Sequence, residues 1–159
     1  MKRESLLLGL FMKYQFPLKV AIIDDEPEIA DLYVLACQRI PDFDPIPFVD
    51  PLFALEEISK HKIPIVLTDI DMPGLKGDDL IKKCVQNFDW SIDFVVSTAL
   101  INMSVAHRCF RLGAREILIK PIGLADVTEA LERVLHRYKK WNDTISEILD
   151  RRASSRSTG

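Results

Sequence analysis

Short apolar runs recur along the chain at Val20-Ala21-Ile22-Ile23, Ile65-Val66-Leu67, Phe94-Val95-Val96 and Ile117-Leu118-Ile119. Each is too short for a stable helix and long enough for a strand buried on both faces. Between them lie stretches with apolar residues at helical spacing. The first holds Ile29, Leu32, Tyr33, Leu35 and Ala36, the second Leu52, Phe53, Leu55 and Ile58, the third Leu80, Ile81, Cys84 and Val85. Strands alternating with helices predict an α/β fold, a doubly wound five-stranded parallel sheet covered on both faces, with right-handed crossovers. The first strand is expected over 19–23 and the fourth over 92–96. The second strand is the least regular: Ile46, Phe48 and Val49 supply its apolar residues, Pro47 puts it at an edge, and 42–45 reads as loop.

Local chemistry punctuates these elements. Glu26-Pro27-Glu28 suits a helix start, because proline fits the first turn and acids favour the positive helix end. Asp50-Pro51 opens the second helix, and Asp78 or Asp79 is expected to cap the third. The fourth spans about Asn102 to Leu112 and stops at Gly113, and the fifth begins near Leu124. His61 and His107 have no metal-binding partner nearby in sequence and read as surface or packing residues.

The strand ends carry the chemistry. Asp24 and Asp25 follow the first strand, Asp69 ends the third, Thr98 the fourth, and Lys120 the fifth. In an open α/β sheet the crevice beyond the carboxyl ends of the strands is where ligands bind. Clustered carboxylates repel one another, and a hard divalent cation, Mg²⁺ above all, would neutralise them. One carboxylate could then act as nucleophile toward a phosphoryl group, while lysine and threonine supply donors to its oxygens. No GxxxxGK, GxGxxG or GxSxG segment is present, which removes the usual nucleotide-binding and serine-hydrolase readings.

These residues, in this order and on these elements, resemble the receiver domain of bacterial two-component response regulators over about residues 19–137. The resemblance rests on Asp24-Asp25, on Asp69-Ile70-Asp71-Met72-Pro73-Gly74 with Gly77, on Thr98-Ala99 and on Lys120-Pro121. It implies a flavodoxin-like sheet of strand order 2-1-3-4-5 and a cis bond before Pro121. It also implies that Asp69 accepts a phosphoryl group from a histidine kinase or histidine phosphotransfer protein. Asp24, Asp25, Asp69 and the backbone carbonyl of Asp71 would hold Mg²⁺, and Thr98 and Lys120 would hold the phosphoryl oxygens. Such a module phosphorylates itself and loses the phosphate again, and is not a conventional turnover enzyme. Asp71 and Leu100 would flank the path of attacking water. The chain departs from the family at Ile117, where an aromatic switch residue is usual. That departure favours a second reading, a receiver-like interaction or dimerisation domain that works without phosphate. A third, an Mg²⁺-dependent phosphatase, lacks its cap domain and its additional acidic cluster.

Beyond the core, the apolar stripe Leu124, Val127, Leu131, Val134, Tyr138, Trp141, Ile145 and Ile148 continues in steps of three and four. The spacing reads as a heptad seam. Residues 138–150 are expected to form an extended helix or coiled-coil linker with no core left to cover, and hence a homodimer contact. A break at Asn142-Asp143-Thr144 is the alternative. Residues 151–159 read as a flexible tail, and a helix that projects and stops suggests a fragment whose output domain is missing. Residues 1–18 read as an N-terminal extension. Its apolar stretch, Leu6 to Met12, is too short for a membrane span, and Met12 is an alternative start. The formal charge of -3 and the few arginines of the tail give no nucleic-acid footprint. Cys37, Cys84 and Cys109 form no zinc or disulfide pattern and fit a reducing, cytoplasmic setting.

Overall fold

The computed structural model describes residues 12–99 and 103–157. In chain order these form β1 Leu18–Ile23, α1 Pro27–Gln38, β2 Phe43–Phe48, α2 Pro51–His61, β3 Ile65–Asp69, α3 Gly77–Asn87, β4 Asp93–Thr98, α4 Met103–Leu112, β5 Ala114–Ile119 and α5 Leu124–Ser157. The strands pair in parallel in the order β2-β1-β3-β4-β5.

Side-chain alternation in β1 divides the core in two. Leu18, Val20 and Ile22 face α1 and α5, where Tyr33, Ala36, Val127, Leu131 and Val134 are buried with them. Ala21 and Ile23 face the other way, onto Ala54 and Ile58 of α2, Leu80 and Ile81 of α3, and Cys109 of α4. A strand buried on both sides needs apolar residues at every position, which is why these runs do not alternate with polar residues.

Several boundaries differ from the sequence expectation. Strand β2 begins at Phe43 and includes Pro45, where a loop is expected. Backbone N–H groups of Leu18 and Asp24 donate to the carbonyls of Asp42 and Phe48, so the even-numbered residues of β2 face β1. Pro45 and Pro47 therefore turn their nitrogens, which carry no hydrogen, to the open edge, where no bond is lost. In α2, Leu52 and Phe53 are exposed and Pro51, Ala54 and Ile58 face the core. The Asp50 side chain caps α2 by accepting from Leu52 N–H at 2.9 Å.

Neither Asp78 nor Asp79 caps α3; the cap position is Lys76. Gly77 N–H already donates to the Ile70 carbonyl. Both carboxylates are instead drawn to the forked guanidinium of Arg108 on α4, at 2.7 Å and 2.9 Å.

Helix α5 runs unbroken through Asn142-Asp143-Thr144 and through most of the expected tail, to Ser157. No glycine or proline interrupts it, and Arg151 pairs with Glu147 one turn back. Its 34 residues span roughly 50 Å. At the base of the sheet, opposite the acidic strand ends, the buried Asp93 is held by Arg115 at 3.2 Å and Arg137 at 2.8 Å. The Tyr138 hydroxyl donates to the Pro64 carbonyl at 2.9 Å. The expectation that the stripe from Tyr138 covers nothing is corrected here. Tyr138 is buried in the sheet-side core, with Tyr14 from the segment before β1 edge-on against it at 4.5 Å, and Ile145 is buried as well.

Asp93→Ala removes the acceptor that joins β4, β5 and α5. Both guanidinium groups are half-exposed and can rehydrate, so the cost should be about 2 kcal/mol. A urea melt that shifts by less than a few tenths of that would show the three-way pair to be energetically idle.

Candidate functional site

Four of the five strand ends, all but that of β2, deliver polar groups to the same rim. Asp24 follows β1 and is fully buried, Asp69 closes β3, and Thr98 closes β4. The nearest carboxylate oxygens of Asp24, Asp25 and Asp69 all lie within 4.8 Å of one another. Lys120 enters from the end of β5 and stands between two of them, 3.6 Å from Asp24 Oδ2 and 3.5 Å from Asp69 Oδ1. Its backbone N–H donates to the Thr98 carbonyl at 2.8 Å, which ties this cation to the end of β4. The Lys120–Pro121 bond is cis, as the sequence resemblance implies.

The backbone orients the acids. Asp69 Oδ1 accepts from Ile70 N–H at 2.9 Å, and Asp24 Oδ1 accepts from Glu26 N–H at 3.0 Å. Asp24 Oδ2 is buried with no hydrogen bond, its nearest relief being the lysine. Gly77 sits directly on the Asp69 backbone: a Cβ there would fall 2.1 Å from the Asp69 carbonyl oxygen. Gly74 adopts φ +85°, a conformation that other residues enter only at a cost.

Electrostatics follow from this packing. Burial, joined by the charge of Asp24, pushes the Asp69 carboxyl up to about 6 against the opposing pull of Lys120. Burial likewise raises Asp24. Burial alone would lower Lys120, but the charges of Asp69 and Asp24 outweigh it and hold the ammonium above its ordinary value. Three acids with one shared cation thus remain under-compensated, and a divalent cation fits both that deficit and the orphaned Asp24 oxygen. The hard oxygen donors match a cation of the Mg²⁺ type.

All the site side chains expected from sequence at Asp24, Asp25, Asp69, Thr98 and Lys120 thus meet at one rim. The Asp71 side chain is exposed, and Leu100 lies outside the described residues. Sequence reading missed Tyr33, counted there only as part of an apolar helix face. It is 2% exposed, and its hydroxyl is buried within range of the charges of Lys120, Asp24 and Asp69. The available signal is chemical: a buried tyrosine hydroxyl needs a polar neighbour.

The family profile described as response regulator receiver domain matches residues 20–132. The chain belongs to that family. This receiver is 32% identical over 114 residues to the transcriptional regulatory protein CitB of Klebsiella pneumoniae, covering 70% of this chain and 48% of CitB. It is 27% identical over 124 residues to the regulatory protein VanRc of Enterococcus gallinarum, covering 78% of this chain and 52% of VanRc. The receiver chain thus spans about half the length of these relatives. Among solved structures it resembles a signal receiver domain from Vibrio parahaemolyticus with a TM-score of 0.71 and 24% identity, covering 77% of this chain and 92% of that one. It also resembles the CheX–CheY–BeF3–Mg complex from Borrelia burgdorferi with a TM-score of 0.68 and 24% identity, covering 76% and 90%. These likenesses show the fold.

An acid whose pKa rises on folding binds protons more tightly in the native state. Its contribution to stability is therefore present at low pH and lost as pH climbs from the unfolded value near 4 through about 6. The metal-free receiver should be less stable at pH 7 than at pH 5. Asp69→Asn should stabilise it at pH 7 by roughly 3 kcal/mol. Thermal melts in chelator test this, and an unchanged or lowered midpoint for Asp69→Asn at pH 7 would contradict it.

Proposed function

We propose that the receiver accepts a phosphoryl group on Asp69 and passes the change on through protein contacts. The observation that carries this reading is the set of three convergent carboxylates with the Lys120 ammonium held between Asp24 and Asp69. An Asp69 carboxylate oxygen attacks the phosphorus of a phosphohistidine on a histidine kinase or histidine phosphotransfer protein. The new O–P bond forms as the P–N bond to the donor imidazole breaks, and the imidazole takes up a proton. Lys120 and the Thr98 hydroxyl, at neighbouring strand ends, hold the phosphoryl oxygens. Later attack by water returns inorganic phosphate and the free carboxylate, so the chain is the phosphoryl carrier and not a turnover catalyst.

Asp24, Asp25, Asp69 and the Asp71 backbone carbonyl would hold Mg²⁺. When bound, the cation withdraws charge from the phosphoryl oxygens and offsets the repulsion among the acids. The Borrelia burgdorferi complex holds BeF3 and Mg²⁺ in a protein of the same fold, which supports this assignment by analogy. No described helix is long and apolar enough to cross a membrane. The free, buried state of Cys37, Cys84 and Cys109 supports a cytoplasmic location. Self-association through the distal part of α5, and an output domain beyond this chain, belong to the same reading.

One observation favours the phosphate-free interaction domain instead. Ile117 is half-buried in β5 and has no polar tip with which to read the state of Thr98. Intact mass after incubation with acetyl phosphate separates the two readings. The wild type should gain one phosphoryl group in Mg²⁺ and none in chelator, Asp25→Ala should be strongly impaired, and Asp69→Asn should gain none. A wild type that gains nothing, or an Asp69→Asn variant labelled equally well, would discard the phosphoacceptor reading.

A further inference from the structure

Helix α5 carries one apolar stripe, Val127, Leu131, Val134, Tyr138, Trp141, Ile145 and Ile148, in strictly alternating steps of four and three. The first three are buried on the sheet. At Tyr138, which also belongs to the sheet-side core, and at Trp141 the stripe meets the backbone and one ring of the segment before β1. Asn142 takes both backbone groups of Tyr14. Tyr14 N–H donates to Asn142 Oδ1 at 2.8 Å, and Asn142 Nδ2 donates to the Tyr14 carbonyl at 2.9 Å. Trp141 Nε1 donates to the Met12 carbonyl at 2.8 Å. The Tyr14 ring meets the Tyr138 ring at an interplanar angle of 83°. Tyr138, Trp141 and Asn142 are one helical turn apart, so the segment crosses the stripe where a second helix would have to lie.

The stripe is nevertheless only partly covered, with Trp141 43% and Ile148 44% exposed. Its spacing is that of a parallel two-stranded seam. Between Tyr138 and Leu149 the positions flanking it, Asn142, Thr144 and Leu149, carry no charge, so two copies meet without like-charge repulsion. Packed helix axes lie only 8–10 Å apart, which leaves no room for the Tyr14 ring between them.

We propose that residues 12–16 are an autoinhibitory strap that holds the distal part of α5 as a monomer, and that the partner it excludes is the same stripe of a second copy of this chain. Asn142 is the pin. With the strap bound, Tyr138 and Trp141 are engaged within the chain. When the strap lifts, Trp141 is freed to join Ile145 and Ile148 in the seam, while Tyr138 keeps its bond to the Pro64 carbonyl. This device does not depend on phosphorylation of Asp69, and it makes the dimer expected from the sequence conditional on strap release.

The test introduces Ile148→Cys and follows intermolecular disulfide formation with copper–phenanthroline, since Cys37, Cys84 and Cys109 are all buried. Each hydrogen bond lost can shift an equilibrium by up to about tenfold. Asn142→Ala loses two such bonds, so adding it should raise cross-linking at a given protein concentration by about ten- to a hundredfold, with a matching shift toward dimer in sedimentation. Tyr14→Ala, which loosens the strap from its own side, should do the same and keeps the test open if Asn142→Ala folds poorly. Trp141→Glu in either released variant should abolish the gain. Cross-linking equal with and without strap release, whether strong or absent, would overturn the proposal, as would a gain that survives Trp141→Glu.

Discussion

Three carboxylates converge at the strand ends although like charges at this separation repel, and one ammonium stands between two of them. Everything else at the rim holds that arrangement in place. Parallel pairing puts the ends of β1 and β3 side by side, so Asp24 and Asp69 cannot part. The Thr98 carbonyl anchors the backbone of Lys120, and the N–H groups of Ile70 and Glu26 fix one oxygen of each acid. The arrangement remains short of positive charge, which is the physical reason a divalent cation fits it.

The sheet separates this chemistry from a second polar centre at its opposite end. There the buried Asp93 binds Arg115 of β5 and Arg137 of α5, while Tyr138 bonds to the carbonyl that precedes β3. Helix α5 is the element common to core, base and extension. Val127, Leu131 and Val134 fasten it to the sheet, Arg137 and Tyr138 lock it at the base, and Trp141 and Asn142 receive the N-terminal segment. A rigid helix with three successive attachments can carry a change at one of them toward the others only as a body, which favours discrete states over gradual bending.

Much of the rim was legible in the chain because strands of a parallel sheet end on one side. A polar residue at the end of each apolar run is then a statement about position in space, and Asp24, Asp69, Thr98 and Lys120 could be gathered without coordinates. Helix faces were less legible. Leu52 and Phe53 of α2 are apolar yet exposed, while the small Ala54 faces the core, since helix–sheet contact selects by depth as well as by hydrophobicity. The acids of α3 carried a capping signature, but Arg108, 30 positions away from Asp78, claimed them. Tyr33 read as an apolar residue because the polar groups near its hydroxyl lie on β-strand ends outside its own helix.

The sequence by itself determined the alternation of elements, the parallel sheet and the chemical character of its rim, because each follows from local spacing and from which residues close each strand. Tertiary structure alone decided what lies on the distal half of α5. The heptad spacing there is equally suited to a second helix or to any apolar cover. The cover that the fold supplies at Tyr138 is the Tyr14 ring, whose backbone is held by Asn142, 128 positions away. No periodicity encodes such a contact. It arises because β1 starts at the base of the sheet, beside the point where α5 leaves it, so the segment entering the first strand runs across the last helix.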